Sequence, residues 1–229
     1  MTPGTFRVEG VAELDTNRRR RTGVPEVVFG ERKTTEQTLR LLGELRRADP
    51  SGPALATRCG PEVIASAGPA FPGEVVEVDP VGRTVVVGEL PAPTGRTVVL
   101  TAGTTDLPVA HECRTTLRAL GLSVDLLPDV GVAGLHRLLG HLDELRTAQS
   151  VIVVAGMDGA LPSVVAGLVE APVIGVPVSV GYGVAAGGIA AACTMLSSCS
   201  PGLVVVNIDN GFGAAVHAAK INRMVHGAR

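Results

Sequence analysis

Hydrophobic and polar positions follow two different rhythms along this chain, and the change falls near residue 95. Before it the apolar runs are short. Val24-Pro25-Glu26-Val27-Val28-Phe29-Gly30 predicts one strand. Thr34 and Gln37 have capping-box spacing ahead of Leu39, Leu41, Leu42 and Leu45, which predicts an amphipathic helix. Between Glu74 and Glu89, alternating valines flank Asp79-Pro80-Val81-Gly82, the pattern of a hairpin closed by a turn. Pro91-Ala92-Pro93-Thr94-Gly95 predicts the linker. Residues 1–90 thus read as a small α+β domain and 91–229 as a second, larger one.

From Arg96 onward the rhythm becomes strand, glycine loop, helix, repeated. The predicted strands are Thr97–Ala102, Ser123–Leu127, Val151–Ala155, Val173–Val176 and Leu203–Ile208. The predicted helices cover 108–120, 134–147, 161–170, 185–198 and 213–225. Nearly unbroken apolar strands alternating with helices predict an α/β fold, a parallel sheet covered on both faces. Ala171 to Ile208 carries no charge, a length that raises the question of a membrane span. Pro172, Pro177, Pro201 and the glycines of 181–188 interrupt it, so it reads as strand, loop, buried helix and strand.

Composition narrows the class. Of 229 residues, 45% are hydrophobic but only 2% aromatic, so Val, Ala and Leu must build the core. A net charge of −2 argues against a general nucleic-acid binder, even with Arg18-Arg19-Arg20-Arg21, which sits beside Glu13 and Asp15. Those arginines suit a local contact to an anionic substrate or a neighbouring subunit. Cys59, Cys113, Cys193 and Cys199 form no CxxC pair, which disfavours structural zinc. The first twenty residues lack an apolar core for a signal peptide, so a cytoplasmic protein with reduced thiols is expected.

The loop after each predicted strand is rich in glycine and small polar residues, and in open α/β sheets ligands bind at that edge. Gly103-Thr104-Thr105-Asp106-Leu107-Pro108 joins strand to helix: Gly103 lets a ligand approach, Thr104 and Thr105 offer hydroxyls, and free N–H groups suit a phosphate. Asp106 caps that helix, holds ribose hydroxyls, or does both. His136 and Arg137 follow the second strand's loop, a proton carrier beside a fork for carboxylate or phosphate, or simply a solvated helix start. Gly156-Met157-Asp158-Gly159 is a further strand-to-helix loop, in which Asp158 is a ligand contact or a cap. Cys193 falls mid-helix among alanines and is expected in the core. Cys199 ends a helix, where the dipole disfavours a thiolate, and a neighbouring cation must activate it if it reacts. Ten residues later come Asp209, Asn210 and Gly211. A buried cysteine and a turn aspartate would be the structural reading of this pair.

Together these segments resemble the LarB family of nickel-pincer nucleotide cofactor biosynthesis proteins. The resemblance runs from Leu14-Asp15, Arg18 and Arg21 through Gly23-x-Pro25-Glu26-Val27-Val28-Phe29-Gly30 and Lys33-Thr34. It continues through 101–110, 129–137, 153–163 and 178–183 to Ser198-Cys199 and Asn207-Ile208-Asp209-Asn210-Gly211-Phe212-Gly213. The C-terminal half also resembles aminoimidazole ribonucleotide (AIR) carboxylase, or PurE: Gly103–Pro108 stands where that family binds phosphate and ribose, and His136-Arg137 where it has a His-Arg pair. Three positions depart from the LarB pattern. His111-Glu112 stands for Glu-Glu, Arg32 for the glycine before Lys33, and Ser198 for Asn.

The resemblance implies a flavodoxin-like, PurE-like three-layer domain behind the small α+β domain. It implies carboxylation of nicotinic acid adenine dinucleotide by CO2 or bicarbonate, with phosphoanhydride cleavage, to give pyridinium-3,5-biscarboxylic acid mononucleotide and AMP. Cys199 would be the nucleophile, with His136 and Asp209 handling protons. Gly103, Thr104, Thr105, Asp106, Arg137, Gly156, Met157, Asp158, Gly159, Asn210 and Gly211 would bind substrate. No tightly bound cofactor is implied, although Mg2+ stays open. A large homo-oligomer, an octamer, is expected, with no nucleic acid or membrane partner. The product would pass to a sulfur-inserting and then a nickel-inserting enzyme. A PurE-type carboxyaminoimidazole ribonucleotide mutase and a non-catalytic nucleotide-binding module are the alternatives.

Overall fold

A computed structural model describes residues 5–8 and 11–227. The residues up to Ala92, with Arg118–Gly121, form one compact unit, and Pro93–Leu117 with the residues from Leu122 onward form another.

In the first unit β1 (Thr5–Val8) and β2 (Ala12–Asp15) make an antiparallel ribbon, followed by a single-turn helix α1 (Arg18–Thr22). The arginine run forms that helix, and its charges are used locally: Arg21 pairs with Asp15 at 2.6 Å, Arg18 with Glu26 at 3.0 Å and Arg19 with Asp49 at 3.1 Å. The remaining elements are β3 (Val28–Phe29), α2 (Thr35–Ala48), β4 (Ala54–Thr57), α3 (Pro61–Ala70), β5 (Val76–Asp79) and β6 (Thr84–Val87). The sheet runs in the order β3-β4-β6-β5, and only β3 and β4 are parallel. The expected capping box is present at Thr34 and Gln37, and Leu41, Leu42 and Leu45 bury the apolar face of α2. The hairpin turn is closed by Asp79, whose Oδ1 accepts from Val81 N and Gly82 N, both at 3.0 Å. The strand expected over 24–30 shortens to Val28–Phe29, since Pro25 has no N–H to give a ladder.

The second unit is β7 (Thr94–Thr101), α4 (Leu107–Ala119), β8 (Leu122–Leu127), α5 (Leu135–Leu139), α6 (Leu142–Arg146), β9 (Ser150–Ala155), α7 (Leu161–Ala166), β10 (Val173–Pro177), α8 (Ile189–Leu196), β11 (Leu203–Val205) and α9 (Gly211–Gly227). The five strands are parallel in the order β11-β10-β9-β7-β8, the flavodoxin-like arrangement. Strand alternation sorts the core. Val98, Leu100, Val151 and Val153 pack with Leu138, Leu145, Leu161, Val165, Ala191 and Met195 of α5–α8. On the other face Asn222 of α9 donates to Thr97 Oγ1 and Ser150 Oγ, both at 3.2 Å. That buried polar link fixes α9 against β7 and β9 in one register.

Three expectations change. The helix predicted over 134–147 breaks into α5 and α6 at Gly140, where the chain turns before His141. The helix predicted over 161–170 stops at Ala166, with Gly167 as its cap. The helix predicted over 185–198 is a 3-10 segment, Gly183–Gly188, leading into α8, with Gly187 and Gly188 at φ 76 and 79. Nor is it buried all round within one chain: Val184 is 98% exposed, Leu196 72% and Ile189 62%. Cys193, expected in the core, is exposed as well. The cause is position, for α8 flanks the edge strand β11 and turns only Ala191 and Met195 into the core.

Candidate functional site

The sheet order reverses between β7 and β9, and loops following strands on either side of such a switch point leave a crevice where ligands bind. Asp106 bridges that crevice. It lies in the turn after β7 and is 3% exposed. Its Oδ2 accepts from Gly103 N at 2.8 Å, within its own loop, and its Oδ1 accepts from Gly156 N at 3.2 Å, in the loop after β9. Burial pushes this carboxyl above its ordinary value, and the amides of Gly103, Gly156 and Ala102 pull it partly back. Asp106 therefore shapes the floor of the candidate site, while Thr104 and Thr105 beside it are both exposed.

The third loop is drawn in by backbone contacts. Met157 N donates to Val180 O at 3.2 Å, and a Cβ on Gly156 would fall 2.5 Å from that same oxygen. No side chain fits there. Gly159 is equally constrained, at φ 63 with its missing Cβ 2.7 Å from Ala191 O. The last loop joins through Asp209, which accepts from Ser179 N at 2.8 Å and donates its own N–H to Pro177 O at 2.9 Å.

Backbone strain gathers at this edge. Asp129, Met157 and Asp209 follow β8, β9 and β11 with φ of 57, 53 and 57. Left-handed non-glycine residues cluster where function over-determines the backbone. Asp129 also receives Arg137 at 2.6 Å, so the guanidinium proposed for substrate is held over its loop, with the exposed His136 beside it. Asp129 and Thr101, whose hydroxyl accepts from Asp129 N at 3.0 Å, lay within the segments that carry the resemblance but were given no role in the sequence reading. The aspartate at the end of a strand was the available signal.

Several expected contacts have local duties. Asp158 Oδ1 accepts from Ala160 N at 3.3 Å, forming a turn. Asn210 Oδ1 accepts from Gly213 N at 2.8 Å, capping α9. Gly211 is glycine because α4 crowds it, with Val109 O 2.6 Å from where a Cβ would stand. From α4, Glu112 accepts from Phe212 N at 3.2 Å, and the buried Cys113 donates to Gly211 O at 3.3 Å. Among the described residues, no three His, Cys, Asp or Glu side chains are grouped to hold a metal ion. No described helix is long and apolar enough to cross a membrane.

Cys199 stands elsewhere. It is exposed, in the segment that leads into β11, whereas Asp209 lies beyond the strand's far end. Leu203 pairs with Val173 at the start of β10, and Asp209 bonds Pro177 at its end. Four steps of about 3.3 Å put those levels about 13 Å apart. Its neighbour Ser200 is tied down by donating to Ser163 O at 2.8 Å. One chain thus unites Gly103, Asp106, Gly156 and Asp209 on one edge and leaves Cys199 toward the other. In the segment after β10, Tyr182 at 77% exposure and Val184 are open to solvent.

A five-stranded parallel sheet with its switch point between β7 and β9 makes the second unit a flavodoxin-like α/β domain, and residues 96–227 match the AIR carboxylase family. Residues 6–89 match the LarB/PurE-like N-terminal domain. The chain belongs to the LarB family, in which these two domains follow one another. An uncharacterized protein of Methanocaldococcus jannaschii, MJ0165, is 41% identical over 96% of this chain and 87% of its own length. The crystal structure of a single-substitution variant of Treponema denticola PurE2 overlays with a TM-score of 0.47 at 24% identity, covering 57% of this chain and 80% of that one.

Proposed function

We propose that this AIR carboxylase-like enzyme carboxylates the pyridinium ring of nicotinic acid adenine dinucleotide and cleaves its phosphoanhydride, releasing AMP and pyridinium-3,5-biscarboxylic acid mononucleotide. The observation that carries the reading is the exposed thiol of Cys199 in a chain whose described carboxylase-type loops otherwise offer no nucleophile of comparable strength. A pyridinium carbon is electron-poor and cannot attack CO2. Cys199 thiolate adds to C4 and forms a C–S bond, and the ring electrons move to nitrogen, leaving an enamine. C5 then attacks CO2 and forms the new C–C bond. A base takes the C5 proton, and the nitrogen lone pair expels the thiolate and restores the aromatic ring. His136 and Asp209 are the candidate bases. Arg137 holds a carboxylate or phosphate. Water completes the phosphoanhydride cleavage.

The distance between the β11 ends is reconciled by a second copy. Cys199 of one chain would serve the Asp106–Asp209 edge of its neighbour, with the open apolar surface around Val184 and Ile189 as the contact. A homo-oligomer, for which an octamer is the expected size, then becomes a requirement of the chemistry. The product suits a following sulfur-inserting step and then nickel insertion, since two ring carboxylates flank the carbon that would bind metal.

Incubation with nicotinic acid adenine dinucleotide and 13C-bicarbonate, with and without Mg2+, followed by mass spectrometry tests the reading. AMP release with gain of one labelled carboxyl is expected, and Cys199→Ala should form none. Turnover of carboxyaminoimidazole ribonucleotide in its place, or carboxylation by the Cys199→Ala chain, would overturn it.

A further inference from the structure

The N-terminal unit carries a second concentration of unusual residues. Parallel strands β3 and β4 end side by side, with Phe29 opposite Thr57, and short turns then lead to α2 at Thr35 and α3 at Pro61. Around that edge stand Arg32, Lys33, Arg58 and Arg83. Three of the four, Arg32, Arg58 and Arg83, have left-handed backbones at φ 65, 53 and 53. Arg32 occupies the place where the family motif has glycine, so the strain is accepted together with a charge. An ordinary turn would put Gly, Asn or Asp at such positions, and arginine there costs stability that the rest of the fold must offset.

Phe29 stands at the centre. Half of it is exposed, at 49%. Arg58 lies 5.4 Å and Lys33 6.0 Å from its ring centroid, and Lys33 Nζ also donates to Phe29 O at 2.7 Å. Arg83 is braced by donating to Cys59 O at 2.9 Å. Glu31 reaches Arg58 at 3.3 Å, an exposed carboxylate that a bound anion would displace. The cations are thus held beside a half-exposed aromatic ring, at the edge where β3 and β4 end.

We infer that this edge of the N-terminal unit binds a nucleoside phosphate, its phosphate among Lys33, Arg58 and Arg83 and its base against the open face of Phe29. Fixed cations grouped at one edge favour a compact dianion. An exposed ring gives a base something to stack on, which inorganic phosphate cannot use. The assignment rests on residues 29–83 alone and stands whatever reaction the C-terminal edge performs.

Hydrogen–deuterium exchange on the full chain, with AMP, adenosine and inorganic phosphate as probes, reads the location. AMP should slow exchange across residues 29–34 and 57–61, separately from any protection in the C-terminal unit. Lys33→Gln and Arg58→Asn should each weaken AMP by about tenfold in calorimetry, the scale of one lost charge-assisted contact. Asparagine tolerates the left-handed backbone, so Arg58→Asn keeps the fold. Arg47→Gln, on the last turn of α2, should leave affinity unchanged. Phe29→Ser should reduce AMP binding toward that of phosphate. Protection confined to the C-terminal unit, equal binding of phosphate and AMP, or equal loss in Arg47→Gln would each overturn the inference.

Discussion

Gly156 donates its N–H to Asp106 across fifty positions of sequence, and this 3.2 Å hydrogen bond joins the two loops on either side of the sheet's switch point. The same carboxylate also accepts from Gly103. Asp106→Ala would strand both amides and should cost about 2 kcal/mol of stability. Asp106→Asn keeps one acceptor but sets an NH2 against one of the amides, and substrate affinity should fall in both variants. Because burial raises this carboxyl above its ordinary 3.8, the folded chain holds the proton at a higher pH than the unfolded one. Its contribution to stability is therefore fullest at acid pH and declines as pH rises through the folded value. The stability advantage of the native chain over Asp106→Asn should shrink over that window in urea titrations, and a growing advantage would contradict the assignment.

Gly156→Ala tests the close approach of the loops. The new methyl would sit 2.5 Å from Val180 O, and backbone cannot yield cheaply. A loss of about 1–3 kcal/mol is expected by chemical denaturation. Gly183→Ala meets nothing within 4 Å, yet its φ of 58 leaves a smaller conformational penalty. Equal losses at the two sites would rule out the contact as the cause.

The four thiols should separate by chemistry. Burial pushes Cys59 up to about 12, against a lesser pull from Arg83, and burial with Glu112 nearby raises Cys113 well above the ordinary thiol value. Neither should alkylate in the native chain near pH 8, where an ordinary thiol is already reactive. Cys199 should label, and substrate should protect it. Peptide mass mapping reads all four, and native labelling of Cys59 ahead of Cys199 would refute the assignment.

Much of the fold was legible because its signals are local. The capping box at Thr34, the Asp79 turn and five apolar strands with glycine loops each depend on a few neighbouring residues. What escaped was set by distance along the chain. Nothing near Asp106 announces Gly156. The strand between Cys199 and Asp209 was read from the sequence, but not its consequence, that the two residues stand at opposite ends of it. The uncharged run through α8 was read as buried all round, but within one chain its position on the edge strand leaves Ile189 and Leu196 uncovered. Arg137 was readable as an anion fork, whereas its hold on Asp129 required the turn after β8 to be seen.

That hold shapes the expectation for the His-Arg pair. Arg137→Lys loses the planar fork while keeping charge, and should raise KM about tenfold with kcat little changed. His136→Asn should lower kcat about a hundredfold with KM near native, as loss of a general acid–base group does. Steady-state kinetics distinguish the two patterns, and their reversal would exchange the roles.

A shared site predicts rescue by mixing. Cys199→Ala and Asp106→Ala chains are each expected to be inactive. Once unfolded and reassembled together at equal ratio, they should regain roughly a quarter of native activity through neighbours that each supply one intact half. Ile189→Asp should shrink the particle in light scattering and abolish that rescue. Activity in a monomeric Ile189→Asp chain would show that one copy suffices.

The chain has no tryptophan and a single tyrosine. That residue, Tyr182, lies 77% exposed between the loop that reaches Gly156 and the helix that precedes Cys199. Its near-ultraviolet emission is consequently a one-site optical gauge built into the molecule. No engineered label is needed, and quenching by added iodide would report, in real time, whether that surface is wet or occupied.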